Sequence, residues 1–468
     1  MATRKTIHFS QDVPIIATCD VCVVGGGSSG IAAATAAARN DVDTILVERY
    51  GYLGGTSTAS MVGPFMTSYS SDGSEMVIGG IFQEVIDRMV TMGGAVDPSE
   101  VDHSTKWGSF IKNGHARLTP FHPEALKLAV IDMVAEAEVR VMFHTSFVKA
   151  LVDEGQLQGI VTHNKGGLGV IKAHIFVDCS ADADVAADAG VPYSKGRSSD
   201  GKMMPATMFM RLGNVDDAKV EAYVATHPHE TRIFEDIVTK ATQEGLFPIP
   251  RKGLNIYREP TPSEWRANIS RVLGIDGTNP DDLSRAEVEG RRQCRFIFEF
   301  MRKNCPGFEN ARLLETAAQI GIRETRHIQG LYTLDEDDVV QGRRFDDAIA
   351  RCAYPIDIHD PTGSGGHLQA LGTRTGDLKA DLPSDAPPFY DIPFRCLVPV
   401  NMHNLLVAGR PISATHEAAA SLRVIPPCYA TGQAAGTAAA QSVKTLRQLA
   451  HIDTTALREI LKKQGAIV

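Results

Sequence analysis

The chain has 468 residues, 43% of them hydrophobic, more than one core usually accommodates, so two lobes are the default expectation. A net charge of -9 offers no basic footprint for DNA or RNA and removes nucleic acid from the expected partners. Residues 1–10 carry positive charge without an apolar core of signal-peptide length, and no uninterrupted apolar run suits a membrane span, so a cytoplasmic location is expected.

In chain order, Val21-Cys22-Val23-Val24 followed by Gly25-Gly26-Gly27-Ser28-Ser29-Gly30 reads as a buried strand entering a G-x-G-x-x-G turn, then an alanine-rich helix over 31–39. The pattern suits a dinucleotide. Gly25 permits the tight turn, Gly27 lets the backbone approach a pyrophosphate, and Gly30 lets the helix sit close to the strand. Ser28 opens a helix whose free N–H groups favour an anion. A second strand over 44–48 ends on Glu48, eighteen residues after Gly30, where a carboxylate accepts from ribose hydroxyls and repels a 2'-phosphate. Tyr52-Leu53-Gly54-Gly55-Thr56-Ser57-Thr58 adds a second glycine-rich turn, suited to the far end of a long dinucleotide.

Eight scattered cysteines suit reduced thiols better than a disulfide framework. Cys19 and Cys22 have redox C-x-x-C spacing, but at about 3.3 Å per residue three strand steps part them by about 10 Å and turn them to opposite faces, so packing is the reading. A helix over 123–137 and a strand over 139–144 follow. Three further strands, 147–152, 157–162 and 169–177, are joined by Asp153-Glu154-Gly155 and Lys165-Gly166-Gly167, a β-meander in place of a crossover helix.

Residues 201–395 read as a substrate lobe, with an alternating strand over 206–211, an amphipathic helix over 217–225, loops over 248–280 and a charged helix over 285–303. Arg291, Arg292 and Arg295 form the solvated face of that helix. A strand-like run over 313–322 ends on Arg323, Arg326 and His327. Paired arginines can clamp a carboxylate, or equally anchor loops or a pyrophosphate. Tyr354, Asp357 and His359 suit either proton transfer beside a redox ring or structural hydrogen bonding. Gly363-Ser364-Gly365-Gly366 lies in a loop and makes a poor phosphate cradle.

Near the end, a strand over 404–410 closes on Gly409-Arg410, and Thr431-Gly432-Gln433-Ala434-Ala435-Gly436 reads as a second small-residue helix start. A nicotinamide dehydrogenase needs only the first glycine turn, whereas a late chain return that completes a site around an isoalloxazine ring points to FAD. No second strand-G-x-G-x-x-G unit for NAD(P)H and no cysteine cluster for an iron-sulfur centre are found. His416, six residues after Arg410, is the favoured catalytic base, with Glu417 beside it in sequence. Arg423 and Cys428 are expected walls of the active site, the cysteine by packing rather than by covalent flavin linkage.

On residues 23–30, Glu48-Arg49 with Gly54-Gly55-Thr56, and 121–128, 177–190, 320–326, 353–359 and 405–436, the chain resembles the FAD-dependent oxidoreductase family of glutathione-reductase-like flavoproteins. It is more distantly similar to fumarate-reductase flavoproteins. The resemblance implies that Gly25, Gly27, Ser29 and Gly30 hold the pyrophosphate, Glu48 the adenosine ribose, and Phe147 the adenine through its backbone. It places Cys179 and Ser180 on the adenosine side, with Ala181 where relatives usually carry glycine, and Gly409 and Arg410 near the ribityl chain. Gly432, Gln433 and Ala434 would present helix N-terminal N–H groups to the flavin pyrimidine.

The expected fold is α/β: a Rossmann-like, glutathione-reductase-type FAD-binding domain with a β-meander (1–200 and 396–468), carrying an inserted α+β substrate domain (201–395). The expected function is an FAD-dependent oxidoreductase, a dehydrogenase or oxidase, that holds FAD non-covalently. It oxidises a small hydroxy or amino compound bearing a carboxylate by hydride transfer to flavin N5, with His416 as base and Arg323 and Arg326 orienting the anion. Two alternatives stay open: fumarate-reductase-like reduction of an activated double bond, with Arg423 delivering the proton, and a non-catalytic flavin-binding electron-transfer subunit, which the long middle lobe disfavours. The sequence leaves open the electron acceptor (oxygen, a quinone or a protein carrier) and assembly as a homo-oligomer. No metal is expected.

Overall fold

A computed structural model describes residues 7–111, 117–363, 365–372 and 387–468. Residues 1–6 of the N-terminus, Ser364 of the glycine-rich loop and 373–386 of the expected substrate lobe lie outside the described residues.

The first strand, Ile15–Val24, loses its alternation toward the end, where Val21, Cys22 and Val23 are fully buried, as in a parallel strand covered on both faces. It pairs in parallel with Thr44–Val47 on one side and Gly167–Asp178 on the other. Arg140–Met142 and Leu405–Val407 extend the parallel set at its two edges. The strand Gly167–Asp178 is long enough to take two neighbours along one edge. Its first residues pair antiparallel with Gln156–Asn164, and Phe176 to Asp178 pair parallel with Leu405–Val407. Gln156–Asn164 pairs in turn with Ser146–Asp153, so the meander forms as read.

The small-residue helix Ser28–Ala38 packs behind the first strand and is crossed by the long helix Ile425–Thr445. A Cβ on Gly432 would lie 2.2 Å from the Ser29 carbonyl oxygen, and one on Gly436 would lie 2.0 Å from that of Ala33. The two helix backbones therefore touch, and only glycine fits at the crossing. The expected helix start at 431 is corrected: Val424 is the N-cap, and Pro426 and Pro427 occupy the first turn, where a missing N–H costs little. The glycines at 432 and 436 serve the crossing, which a sequence reading mistakes for a helix start.

A second sheet is antiparallel, in the order Arg312–Thr316, Met210–Gly213, Trp265–Ala267, Ile256–Arg258. Two of its strands fall within 248–280, expected as loops. They are only three residues long, and pairing rather than periodicity buries Ile256, Trp265 and Ala267. The charged helix Pro280–Asn304 starts earlier than expected because Pro280 takes its first position and Asn279 caps it, accepting from Asp281 N at 2.9 Å. Trp265, Phe234, Phe308, Ile297 and Met301 form a second core distinct from that of the parallel sheet, while Leu334, Tyr390 and Leu397 return to the first. Among the described residues, no helix is long and apolar enough to cross a membrane.

Candidate active site

A cavity of about 550 Å³ opens at the C-terminal ends of the parallel strands, where ligands of open α/β sheets bind, and continues to residues of the second sheet. At the first end its wall is backbone. Gly25, at φ 102°, turns the chain off the strand, and a Cβ there would lie 2.4 Å from the Cys179 carbonyl oxygen. A Cβ at Gly30 would lie 1.7 Å from the Gly25 carbonyl oxygen. The second glycine turn meets the first: a Cβ on Gly55 would fall 2.7 Å from Gly27 Cα. Gly27 is the N-cap of helix Ser28–Ala38 and no side chain caps it, so the first-turn N–H groups are presented at the cavity wall.

Glu48 is buried beside this cradle, with Oε2 accepting from Gly26 N at 2.6 Å and Oε1 from Tyr50 N at 2.7 Å. Burial pushes its carboxyl above the usual range, against the lowering effect of those N–H groups. Each oxygen keeps a further lone pair for a hydroxyl donor. Arg49, Thr56, Phe147, Cys179, Ser180 and Ala181 also line this end. Ala181 holds φ 72°, the left-handed region that glycine favours. Asp178, which sequence reading passed over as a strand end, builds the turn: its Oδ1 accepts from Ser180 N and its Oδ2 from Ala186 N, both at 2.9 Å. Burial raises its carboxyl to about 6. Backbone cradle, helix N-terminus and buried carboxylate together fit the pyrophosphate and ribose of a dinucleotide.

The far end is made of side chains. Arg323 Nη1 donates to the Pro205 carbonyl at 2.6 Å and to Thr207 Oγ1 at 2.7 Å. Arg423 Nη2 donates to the Asp357 carbonyl at 3.0 Å. Tyr354 Oη donates to Asp357 Oδ2 at 3.1 Å, and His359 Nε2 lies 3.3 Å from the same oxygen. Arg271 Nη2 donates to His359 Nδ1 at 2.8 Å, and Arg251 is anchored on the Ile269 carbonyl. Burial, reinforced by Arg423, Arg251 and Arg271, lowers Arg323 well below the usual guanidinium value. Burial and Arg271 lower Arg251 to about 9. Burial works to raise Asp357, but His359, Arg423 and Arg323 hold it well below the carboxylate range. Arg323 and Arg423 thus flank Asp357 in the wall while Arg251 and Arg271 add positive charge from outside the lining, and the wall is primed for an anion.

The structure brings Arg323, Arg423, Tyr354, Asp357, His359 and Cys428 to this cavity. It does not bring His416 or Arg326 there. His416 starts helix His416–Leu422 and is buried against Glu324, its Nδ1 2.7 Å from Oε1, so the proposed base faces a protein carboxylate outside the cavity lining. Arg326 donates to the Asp182 carbonyl and to Asp184 Oδ1 and covers Tyr193. Arg323 is bonded to Pro205 and Thr207 and Arg326 to Asp182 and Asp184, and only Arg323 lines the cavity, so the two arginines form no clamp. Gly432, Gln433 and Ala434 sit well inside a helix, with N–H groups away from its N-terminus. Gln433 Oε1 instead accepts from Ile81 N at 3.0 Å. At the true N-terminus, Val424 and Ile425 line the cavity. Gly54 and Gly409 shape turns behind the lining, and Arg410 lines it while tied to the Ala181 and Ile322 carbonyls and to Asp182. Tyr257 and Asn268, which line the cavity, and Arg251 and Arg271, which stand outside the lining, carry no sequence signal. They come from short strands and loops with no motif to mark them.

A parallel α/β sheet with a glycine cradle at its strand ends defines a nucleotide-cofactor enzyme. The family model described as "FAD dependent oxidoreductase" matches residues 20–461, and the chain belongs to that family. It is an FAD-dependent oxidoreductase, with FAD as its cofactor. No curated protein sequence matches the chain. Similar solved structures include a geranylgeranyl bacteriochlorophyll reductase-like protein from Thermoplasma acidophilum (11% identity, 96% of this chain and 84% of that one, TM-score 0.43). Also similar are p-nitrophenol 4-monooxygenase from Pseudomonas putida DLL-E4 (11%, 96% and 82%, 0.43) and a triple mutant of the flavin-dependent brominase Bmp2 (11%, 95% and 84%, 0.45).

Proposed function

We propose that this oxidoreductase acts on a small carboxylate-bearing substrate seated against Arg323 and Arg423. The observation that carries the reading is the placing of Arg323 and Arg423 beside Asp357 at the end of the cavity away from the glycine cradle, with Arg251 and Arg271 adding positive charge from outside the lining. Gly25, Gly27, Ser29 and Gly30 would hold the FAD pyrophosphate and Glu48 its ribose, with Arg49, Gly55, Thr56, Phe147, Cys179, Ser180 and Arg410 along the rest of the cofactor. The meander and the late strand Leu405–Val407 support a glutathione-reductase-type domain over 1–200 and 396–468, with 201–395 supplying most of the arginine end. Bound FAD supplies hydride chemistry at N5. The chain's own part is to fix the carboxylate through guanidinium forks, exclude water, and manage one proton.

Oxidation of a hydroxy or amino acid is the first form of this reading. The second form, reduction of an activated double bond, is favoured by a specific observation: the titratable side chains lining this end are guanidinium groups, Asp357 with its donors, and phenols, and His416 is elsewhere. A guanidinium such as that of Arg423 orients and donates. Anaerobic mixing separates the two forms. Bleaching of oxidised enzyme by hydroxy or amino acids identifies oxidation, and rapid reoxidation of reduced enzyme by an enoate identifies reduction. Reaction with neutral alcohols or amines and with no acid overturns the carboxylate reading.

A further inference from the structure

His359 invites the assignment of catalytic base, since it lines the cavity next to Arg323 and Arg423. Its bonding argues otherwise. Both ring nitrogens are engaged, Nδ1 with Arg271 Nη2 at 2.8 Å and Nε2 with Asp357 Oδ2 at 3.3 Å. Arginine has only donors, so Nδ1 carries no hydrogen and receives one. In the neutral ring the remaining hydrogen is then on Nε2, facing Asp357. Arg271 is itself fixed, because its Nη1 donates to the Gly365 carbonyl at 2.9 Å and its backbone N–H to Gln293 Oε1 at 2.7 Å.

We propose that Arg271 locks His359 as a neutral Nε2–H donor to Asp357, making Arg271 and His359 positioning residues that hold Asp357 in place for Arg423. Asp357 is where the line converges: it receives Tyr354 Oη, faces His359 Nε2, and takes Arg423 Nη2 on its carbonyl at 3.0 Å and near Oδ2 at 3.5 Å. The charged groups facing the imidazole agree with neutrality. Burial first, then Arg323 and Arg423, oppose its protonation, and Asp357 alone among these favours it, leaving the ring titrating at about 3. Arg271 adds its own cation directly at Nδ1. Arg251, Tyr257 and Asp360 stand further out, acting on Arg271 and Asp357 rather than on the ring. The lock itself stands on hydrogen-bond chemistry. Only the part about aiming Arg423 rests on the carboxylate reading.

The test is 15N NMR of histidine-labelled holoenzyme, with the His359 signal identified by its loss in His359→Gln. The expected wild-type signal is the neutral Nε2–H tautomer, unchanged from pH 5 to 9. Arg271→Lys, which still offers a donor, keeps that signature. Arg271→Met removes the donor, so the ring gains an ordinary pH titration or the Nδ1–H tautomer. A wild-type ring that is imidazolium at pH 6, or is Nδ1–H, overturns the lock, as does Arg271→Met with an unaltered signal and full FAD content. Acetate binding, read from the flavin visible spectrum, tests the aiming. His359→Gln, whose amide can still donate to Asp357, should bind acetate within about threefold of wild type, and His359→Leu about tenfold more weakly. Equal binding by both variants overturns the aiming. If acetate leaves the wild-type spectrum unmoved, the carboxylate reading and the aiming built on it both fall, and the NMR result still decides the lock.

Discussion

At the glycine end of the cavity the wall is backbone: Gly25, Gly30 and Gly55 stand where a Cβ would strike a neighbouring main-chain atom or glycine Cα, and the polar groups on offer are largely N–H groups and one buried glutamate. At the arginine end the wall is side chain, drawn from residues 323, 354, 357, 359 and 423, with the arginines held on carbonyls and Asp357 held by its donors, and with residues 251 and 271 behind it. The first end tolerates no Cβ at Gly25, Gly30 or Gly55 without a backbone shift, and on the proposed reading it contacts the part of the ligand common to many enzymes. The second can change residue by residue without disturbing the sheet. On the proposed reading, cofactor binding is a property of the backbone here, and substrate binding a property of long, charged side chains.

The largest effect should come from breaking the backbone end. Gly30→Ala puts a Cβ 1.7 Å from the Gly25 carbonyl oxygen, and no flexible side chain is available to move aside. Purified Gly30→Ala protein should contain no stoichiometric FAD, as read from its visible spectrum. Arg323→Met should leave FAD content intact and weaken acetate binding by roughly 30-fold or more, the cost of removing one partner of a desolvated charge pair. Loss of FAD in that variant would blur the division between the two ends.

Smaller effects fall on the residues that sequence reading wrongly placed at the second end. His416→Ala strips a buried partner from Glu324 and should cost about 1–3 kcal/mol of stability in denaturant unfolding while retaining FAD. Burial works to raise Glu324, but hydrogen bonds from His327 and His416 hold its carboxyl at about 2. Because the folded value lies below the unfolded one, its contribution is complete above about pH 4.5 and is lost as pH falls toward 2, on the order of 2–3 kcal/mol. Acid unfolding followed by circular dichroism should show that loss, and His416→Ala should shrink it. Arg326→Ala should be the mildest, about 1 kcal/mol or less in stability with acetate binding unchanged, since it is bonded to Asp182 and Asp184 and does not line the cavity.

These assignments mark what was legible in the sequence. Val21 to Gly30, Glu48 and the meander could be read because strand, glycine turn and acid follow one another within a few dozen residues, and each has a local physical meaning. The parallel sheet followed from that run. The start of the last helix was misread because Gly432 and Gly436 look like a turn signal, and only the crossing partner Ser29–Ala33 shows their use. His416 and Arg326 were misassigned for a different reason: nearness in sequence to Arg410 or Arg323 does not say which way a side chain points. Arg251 and Arg271 left no trace, since an arginine in a short loop is ordinary until the fold sets three others beside it.

The most direct test of the account is a titration of the yellow, FAD-loaded protein with acetate and, in parallel, with acetamide, followed by the flavin difference spectrum. The two probes have nearly the same shape, and only one is charged. A saturable spectral change with acetate and none with acetamide is the predicted result. Equal responses, or a response to acetamide alone, would contradict an arginine-built carboxylate site.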